Sequence, residues 1–442
     1  MNIYIIWIGG IWTSGLARYY KSLWQSISGS DKSDSEITRK LKKEWIDITI
    51  WENIWNISEN TDLVIYSSAI NESQSELKKA RELWIKTLTY PQALWEATGK
   101  TKLISIAGTH GKSTTTSLVS LVLKNSKINF TSIVWSVLSE FWGTNFYHRD
   151  DKKTESHFVL ESCEYKRNFL NYKPFIGVIT NIEVDHLDYY KDETDYISAF
   201  EEFIDNIKTW GYVILDKNDK NSANLLWKRA DIHYVIVDKN QYIIDNIKSV
   251  FPEIIMQVPW DHILFDAHIA FLVGKLLEIK DSIIIHSLQW YKGIWRRMEQ
   301  IGTTENWNIL MSDYGHHPTE ILKTTQALKE KHINKKLFVV FQPHQYSRTI
   351  ELIEGFKNAF IYCDTLVVPN IYESRDSEED KEKMNGEIFI NTIHHKNKIF
   401  WNGFENTLKL IENYDSENTS SSIILLLWAG NVDDLRNKIK TS

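Results

Sequence analysis

The segment Ala107-Gly108-Thr109-His110-Gly111-Lys112-Ser113-Thr114-Thr115 follows the apolar run Leu103–Ala107 and opens an amphipathic stretch reaching about Lys124. A strand that ends in a glycine-bearing turn and passes straight into a helix aims backbone N–H groups and the helix N-terminus at one point, where a phosphate is held. It also commits the chain to a parallel α/β layout, because the helix must cross back over the sheet before the next strand can pair. Gly108, Thr109, His110 and Gly111 supply the cradle. Lys112 reaches the β/γ-phosphates, and the hydroxyl of Ser113 or Thr114 suits a divalent cation. The motif departs from G-x-x-x-x-G-K-[ST], since Ile106 stands in the outer glycine's place.

The same alternation runs before and after this point. Strand-like Ile3–Ile6, Ile46–Ile50 and Leu63–Ser67 interleave with helical stretches at about Ser14–Ser26 and Ser33–Glu44. Around the phosphate loop, strands are expected at Phe158–Glu161, Gly177–Thr180, Tyr212–Leu215 and Tyr234–Val237, with a long helix near Tyr196–Lys208. A third unit restarts at Ile309–Met311 and continues through helix Pro318–Lys331, strand Leu337–Phe341, helix Thr349–Tyr362, and strands Thr365–Pro369 and Ile423–Leu427. Glu373–Lys383 has no apolar period and reads as an exposed loop. A length of 442 residues accommodates three such units.

Composition narrows the function classes. Hydrophobic residues at 43% and charged residues at 25% are those of a globular protein. A net charge of −7 without a Lys/Arg block leaves no footprint for nucleic acid. The apolar run from Ile3 to Ile11 is too short to span a bilayer and lacks signal-peptide flanks, so no membrane insertion is expected. Two cysteines, Cys163 and Cys363, exclude a disulfide framework, and the chain reads as cytoplasmic.

One ratio is abnormal: Gly and Trp both number 18. Glycine is far below its usual level of about 7%. Many tryptophans sit where a turn asks for glycine. Trp7 and Trp12 bracket Gly9-Gly10, Trp142 abuts Gly143, Trp210 abuts Gly211, and Trp428-Ala429-Gly430 follows an apolar run. The ratio suggests a gene that reads UGA as glycine, written out with a table that makes UGA tryptophan. Trp7 and Trp12 would then fill space that a pyrophosphate needs, and the chain as written should be inactive.

Further chemistry gathers at strand ends. Glu161-Ser162-Cys163-Glu164 and Thr180-Asn181-Ile182-Glu183-Val184-Asp185-His186-Leu187-Asp188 each follow a strand, placing hard oxygen ligands and an imidazole where Mg²⁺ would accompany a triphosphate. Ser312–Pro318 and Phe341–Thr349 end strands and start helices, as substrate-facing loops do. The pair His316-His317 lacks the spacing of a structural zinc site. Taken alone, the turn at Gly9-Gly10 also suits an NAD-dependent oxidoreductase, which leaves Lys112 and the acidic loops unexplained. The phosphate loop alone would suit a nucleotide-switched binding module.

Together these segments resemble the Mur ligases. The resemblance rests on Ile8–Ala17, Ser28–Asp31, Tyr66–Ile70, Gly108–Thr115, Glu161, Ile179–Tyr190, Arg296–Glu299, Asp313–Glu320 and Phe341–Thr349. It implies three α/β domains: a Rossmann-like UDP-binding domain over residues 1–98, a central P-loop ATPase domain with a mostly parallel sheet over 99–298, and a Rossmann-like C-terminal domain over 299–442. It implies ATP and Mg²⁺, and an amide bond formed between L-alanine and the lactyl carboxylate of UDP-N-acetylmuramate through an acyl phosphate, in peptidoglycan precursor synthesis. The alternative is the family's ligase that recycles a tripeptide onto the same sugar nucleotide. The resemblance gives catalytic roles to Lys112, Glu161, His186, His344 and Arg348, metal ligation to Ser113, Glu161 and His186, and a nucleotide contact to Arg297. Gly9, Gly10, Ser14, Ser28, Asp31 and Ser68 would line the UDP-sugar site, and Tyr314 with Arg348 the alanine site, in a monomer or homodimer. Ile263 and Asp266 replace the family's two adenine-side asparagines, and Gln345 replaces an arginine of the alanine loop.

Overall fold

In the computed structural model three sheets are built from runs of β-branched and aliphatic residues, each run ending in a polar loop. The structure describes all residues except 68–69, 152–153, 258–260, 296, 374–375, 402, 429 and 442, and it leaves the side chains of residues 261–262 aside. Ser68, expected at the UDP-sugar site, lies outside the described residues.

The first sheet comprises β1 (Asn2–Ile6), β2 (Ser26–Asp31), β3 (Asp47–Ile50), β4 (Leu63–Tyr66) and β5 (Lys86–Thr89), all parallel in the order β3-β2-β1-β4-β5. Its order reverses at β1, so the crevice at the end of β1 opens beside Gly9-Gly10. Helices α1 (Ile11–Ser22), α2 (Glu36–Lys43), α3 (Ser75–Glu82) and α4 (Tyr90–Thr98) connect these strands. Helix α1 begins three residues earlier than its apolar pattern predicts, directly after Gly10.

The second sheet has β6 (Lys102–Ala107), β7 (Phe130–Leu138), β8 (Thr144–Arg149), β9 (His157–Glu161), β10 (Ile176–Ile179), β11 (Tyr212–Asp216), β12 (His233–Asp238), β13 (Gln241–Ile244) and β14 (Ile247–Val250). Their order is β14-β13-β12-β11-β10-β6-β9-β7-β8, parallel from β12 through β7 and antiparallel at both edges. Strand β6 again sits where the order reverses, and α5 (Lys112–Ser126) leaves its end. One core joins the two sheets: Leu16, Leu94 and Ala97 of α1 and α4 pack with Leu103, Ile133, Phe158 and Leu160. These two sheets form one compact unit, residues 1–185 with 192–292.

A second unit holds residues 186–191 and 293–442. Its sheet runs β15 (Glu299–Thr303), β16 (Ile309–Asp313), β20 (Ser422–Trp428), β17 (Lys336–Gln342), β18 (Thr365–Val368) and β19 (Lys398–Phe400), antiparallel only at β15. Two expectations are corrected here. The helix expected over Thr349–Tyr362 is two short helices, Tyr346–Glu351 and Ile353–Phe356. The stretch Glu373–Lys383 is not loop throughout: Glu378–Lys383 is helical, because Ser377 and Asp380 close a capping box at its start.

Helices α1, α2 and α3 end alike. After α1, Trp24 N–H bonds the Lys21 carbonyl (2.9 Å) and Gln25 N–H the Tyr20 carbonyl (3.2 Å). After α2, Trp45 bonds Lys42 (3.0 Å) and Ile46 bonds Leu41 (3.1 Å); after α3, Trp84 bonds Arg81 and Ile85 bonds Ala80, both at 3.0 Å. Each is a Schellman motif with tryptophan at its left-handed position, at φ of 60°, 63° and 56°.

Candidate active site

The phosphate loop is held open by its own neighbours. Gly108 (φ 130°) and Gly111 (φ 80°) take backbone conformations that favour glycine, and Gly111 caps α5. The Thr109 hydroxyl donates to the Glu183 carbonyl (2.8 Å) and accepts from the Glu183 N–H (2.9 Å). The Asn181 side chain accepts the His110 N–H (3.0 Å) and donates to the His110 carbonyl (3.1 Å). The loop at the end of β10 is thereby pinned to the loop at the end of β6, as the parallel pairing of those strands allows.

Two acids close on the start of α5. Ser113 Oγ donates to Glu161 Oε1 at 2.8 Å, and the other Glu161 oxygen accepts the Trp135 N–H at 3.2 Å. Lys112 Nζ donates to the carbonyls of Gly108 (2.6 Å) and Thr109 (2.9 Å) and to Glu164 Oε1 (3.1 Å). Burial works against the ammonium, but Glu164, with Cys163 and Glu161 behind it, outweighs that and holds Lys112 above the ordinary lysine value. Burial also pushes the Cys163 thiol far up, so it stays an inert thiol. Ser113 and Glu161 are buried hard-oxygen groups in contact, a donor set that fits Mg²⁺. Thr114 stands next on the same first turn of α5.

At the end of β1, Gly9 N–H donates to Asp31 Oδ2 (2.8 Å) and Gly10 is the N-cap of α1, so the helix start, Gly9, Gly10 and Asp31 come together. Ser14 and Ser28 sit deeper. Ser14 is fully buried, its hydroxyl donating to the Ile11 carbonyl and accepting from Asn145. Ser28 is mid-strand between Tyr4 and Asp47. Trp7 and Trp12 flank this turn. Lys32 Nζ lies 4.2 Å from the Trp7 ring centroid, and the Trp12 and Trp135 rings are 4.6 Å apart.

In the second unit, the ends of β16, β17 and β20 gather Tyr314, His316, His344 and Trp428. His316 and His344 are 6.5 Å apart between ring centroids, Tyr314 and Trp428 6.0 Å, and His344 stacks on Tyr372 at 5.4 Å. The Arg297 guanidinium lies 5.1 Å from the Tyr314 ring centroid and 3.5 Å from Glu320. Burial raises the Asp313 pKa against the opposing pull of Arg297 and the Met298 N–H. Arg348 is on the helix whose first N–H groups, those of Tyr346 and Ser347, donate to Asp376. His186 (φ 58°) opens the segment 186–191 of this same unit, whereas Ser113 and Glu161 belong to the first.

Asn181 and Asp266 at the loop are not among the candidate site residues, and Glu164, one of the carboxylates expected near a cation, is instead the partner of Lys112. Asp266 Oδ1 accepts from Thr115 at 2.9 Å, and an added Cβ on Gly111 would lie 2.7 Å from it. A buried acid inside the apolar helix Asp261–Leu276 was the available signal.

Comparison with known proteins agrees with this geometry. Family models match residues 2–100 (Mur ligase family, catalytic domain), 106–269 (Mur ligase middle domain) and 296–426 (Mur ligase, glutamate ligase domain). The UDP-N-acetylmuramate–L-alanine ligase of Alkaliphilus metalliredigens is 33% identical, over 98% of this chain and 95% of its own. The chain belongs to the Mur ligase family. The UDP-N-acetylmuramate–L-alanine ligase of Clostridium novyi is 35% identical to this Mur ligase over 85% of its chain and 84% of the relative. Solved structures share the fold. The UDP-N-acetylmuramate-alanine ligase of Thermotoga maritima has a TM-score of 0.79 at 22% identity, covering 99% of this chain and 98% of that one. A murein peptide ligase from Psychrobacter arcticus has a TM-score of 0.74 at 19% identity, again covering 99% and 98%. As a Mur ligase the protein is an ATP-dependent ligase with three α/β domains. None of its described helices is long and apolar enough to cross a membrane.

Proposed function

We propose that this Mur ligase joins L-alanine to the lactyl carboxylate of UDP-N-acetylmuramate, spending ATP, in peptidoglycan precursor synthesis in the cytoplasm. The observation that carries the reading is the Lys112, Ser113 and Glu161 constellation at the switch point of the second sheet, in a chain whose full-length relatives bear that activity in their names. Its division of labour follows the domains at 1–98, 99–298 and 299–442.

Phosphoryl transfer asks for positioned cations more than for covalent help. Gly108 to Gly111 offer backbone N–H groups to the phosphates, Lys112 neutralises charge on the transferring phosphoryl group, and Arg297 contacts the nucleotide. Ser113 and Glu161 would hold Mg²⁺, which neutralises phosphate charge when bound, and His186 is assigned to a second ion. Gly9, Gly10 and Asp31 surround the pyrophosphate at the start of α1, with Ser14, Ser28 and Ser68 around the rest of the UDP-sugar. A muramyl carboxylate oxygen attacks the γ-phosphorus of ATP, the bond to the β-phosphate oxygen breaks and ADP leaves, giving an acyl phosphate. The alanine amine attacks the acyl carbon, and phosphate leaves as the amide forms. Arg348 meets the alanine carboxylate, while His344 and Tyr314 position the amino acid.

Phosphate release from the chain carrying Trp7→Gly/Trp12→Gly, measured with UDP-N-acetylmuramate and either L-alanine or the recycled tripeptide, tests this. Release is expected with L-alanine; release with the tripeptide alone would reassign the substrate.

A further inference from the structure

Among the described residues, tryptophan supplies nine of the twenty non-glycine positions with positive φ: Trp7, Trp24, Trp45, Trp51, Trp84, Trp142, Trp210, Trp227 and Trp307. It makes up only 18 of 442 residues. A left-handed backbone brings Cβ against the following carbonyl, at a cost glycine does not meet. Packing could justify that cost, but eight of the nine rings are 63–96% exposed. The ninth, Trp7, has its indole N–H enclosed with no hydrogen-bond partner among the described residues. Such a group is expensive to bury. Three consecutive helices carry tryptophan at the left-handed position of a Schellman motif, the position glycine fills most often. The side chain is thus unsuited to the backbone, and most of the ring surface stays in water.

Two further rings, those of Trp12 in helix α1 and Trp135 in strand β7, have ordinary backbone conformations and are singled out by their place beside the site. The Trp12 ring stacks on Trp135, whose backbone N–H is bonded to Glu161, the partner of Ser113. Trp12 lies on the first turn of α1, two residues past Gly10. The stacked rings of Trp12 and Trp135 thus join the helix that starts after Gly9-Gly10 to the strand whose N–H holds Glu161. In the proposed reaction the sugar acid bound at that turn must meet the phosphate held at the loop.

We propose that these eleven positions are glycine in the protein its own cell makes, UGA being decoded as glycine, and that the glycine form opens a passage from the sugar-nucleotide turn to the phosphate loop. The decoding stands on the backbone geometry of the nine left-handed positions; the assignment of Trp12 and Trp135 and the passage rest on the proposed function.

Three measurements test it. In protein isolated from its source cell, mass spectrometry of the peptide Met1–Arg18 should show glycine at positions 7 and 12; tryptophan at full occupancy would overturn the decoding. In the recombinant chain, Trp24→Gly/Trp45→Gly/Trp84→Gly should melt about 5 °C or more above Trp24→Ala/Trp45→Ala/Trp84→Ala, since both lose the exposed rings but only glycine relieves the left-handed backbone. Equal or reversed melting temperatures would overturn it. Titration with UDP should show at least tenfold tighter binding to Trp7→Gly/Trp12→Gly/Trp135→Gly than to the parent. Equal, measurable binding to both would overturn the passage. If UDP binds neither while the first two results hold, the sugar-nucleotide reading fails and the decoding stands.

Discussion

Lys112 Nζ stands 3.1 Å from the Glu164 carboxylate, and both side chains are largely withdrawn from water. The two backbone carbonyls it also reaches belong to its own loop, so the ammonium is locked into the cradle before any phosphate arrives. Removing Glu164 alone would leave a buried positive charge without its counter-charge. Glu164→Gln should therefore destabilise the fold by about 3 kcal/mol in urea unfolding, and Lys112→Met/Glu164→Gln should recover part of that loss. Because Lys112 is raised above 10.5, the pair's contribution is complete below that pH and fades as pH climbs through the higher folded value. A Glu164→Gln variant as stable as the parent at neutral pH would contradict this account of the loop.

A histidine sets the acid limb of stability. His268 is buried and stacked on Phe251 with centroids 4.0 Å apart, and burial lowers its pKa from 6.5 to about 4. Between those values the unfolded chain binds a proton the folded one refuses, so stability rises with pH across that window. The contribution lost by pH 4 is about 3 kcal/mol. His268→Phe should flatten the pH dependence of the urea midpoint between 4 and 6.5; an unchanged slope would show that His268 titrates normally.

The first two sheets are tied by one arginine. Arg18 on α1 makes a forked contact with Glu44 (Nε and Nη2 at 2.9 and 2.8 Å) and donates through Nη1 to Asn145 Oδ1 at 2.7 Å. Asn145, on β8, also donates to the Ile11 carbonyl and to Ser14. Arg18→Met should lower stability by about 2–3 kcal/mol, since it strands a partly buried carboxylate and a buried amide. Urea unfolding measures this, and a loss below about 0.5 kcal/mol would place the tie among neutral surface pairs.

In the chain carrying Trp7→Gly/Trp12→Gly/Trp135→Gly, Arg348→Ala should raise the KM for L-alanine about tenfold or more with a smaller effect on the KM for ATP, the cost of one charge-assisted contact to a carboxylate. Steady-state kinetics in each substrate separate the two. An equal rise in both would point to a folding defect in the helix Tyr346–Glu351.

Several elements were legible before any coordinates. The run Leu103–Ala107 with Gly108, Gly111 and Lys112 specified β6, the loop and α5 because strand, glycine and helix signals agree there. The contacts that stiffen the loop were not legible as such. Asn181 and Asp266 lie about seventy and one hundred and fifty residues away in sequence, and only the order β10-β6 and the packing of helix Asp261–Leu276 bring them in. The break at Leu352 between two short helices is hidden for a different reason: the apolar pattern runs through Leu352, and the nearby glycine, Gly355, lies inside the second helix and not at the break. Strands β13 and β14 form an antiparallel edge whose Asp245-Asn246 turn was readable in principle, but the strands are short and half exposed, with little alternation to register.

The account stands or falls on the chemistry at Lys112. The direct test is transfer of radiolabelled L-alanine to UDP-N-acetylmuramate with ATP and magnesium, using the chain with Trp7→Gly/Trp12→Gly/Trp135→Gly and the same chain carrying Lys112→Met. The first should form labelled nucleotide with one phosphate released per alanine joined, and the second should be slower by about a hundredfold or more. Labelled alanine that never joins the sugar nucleotide, or a Lys112→Met chain that transfers it undiminished, would contradict the account.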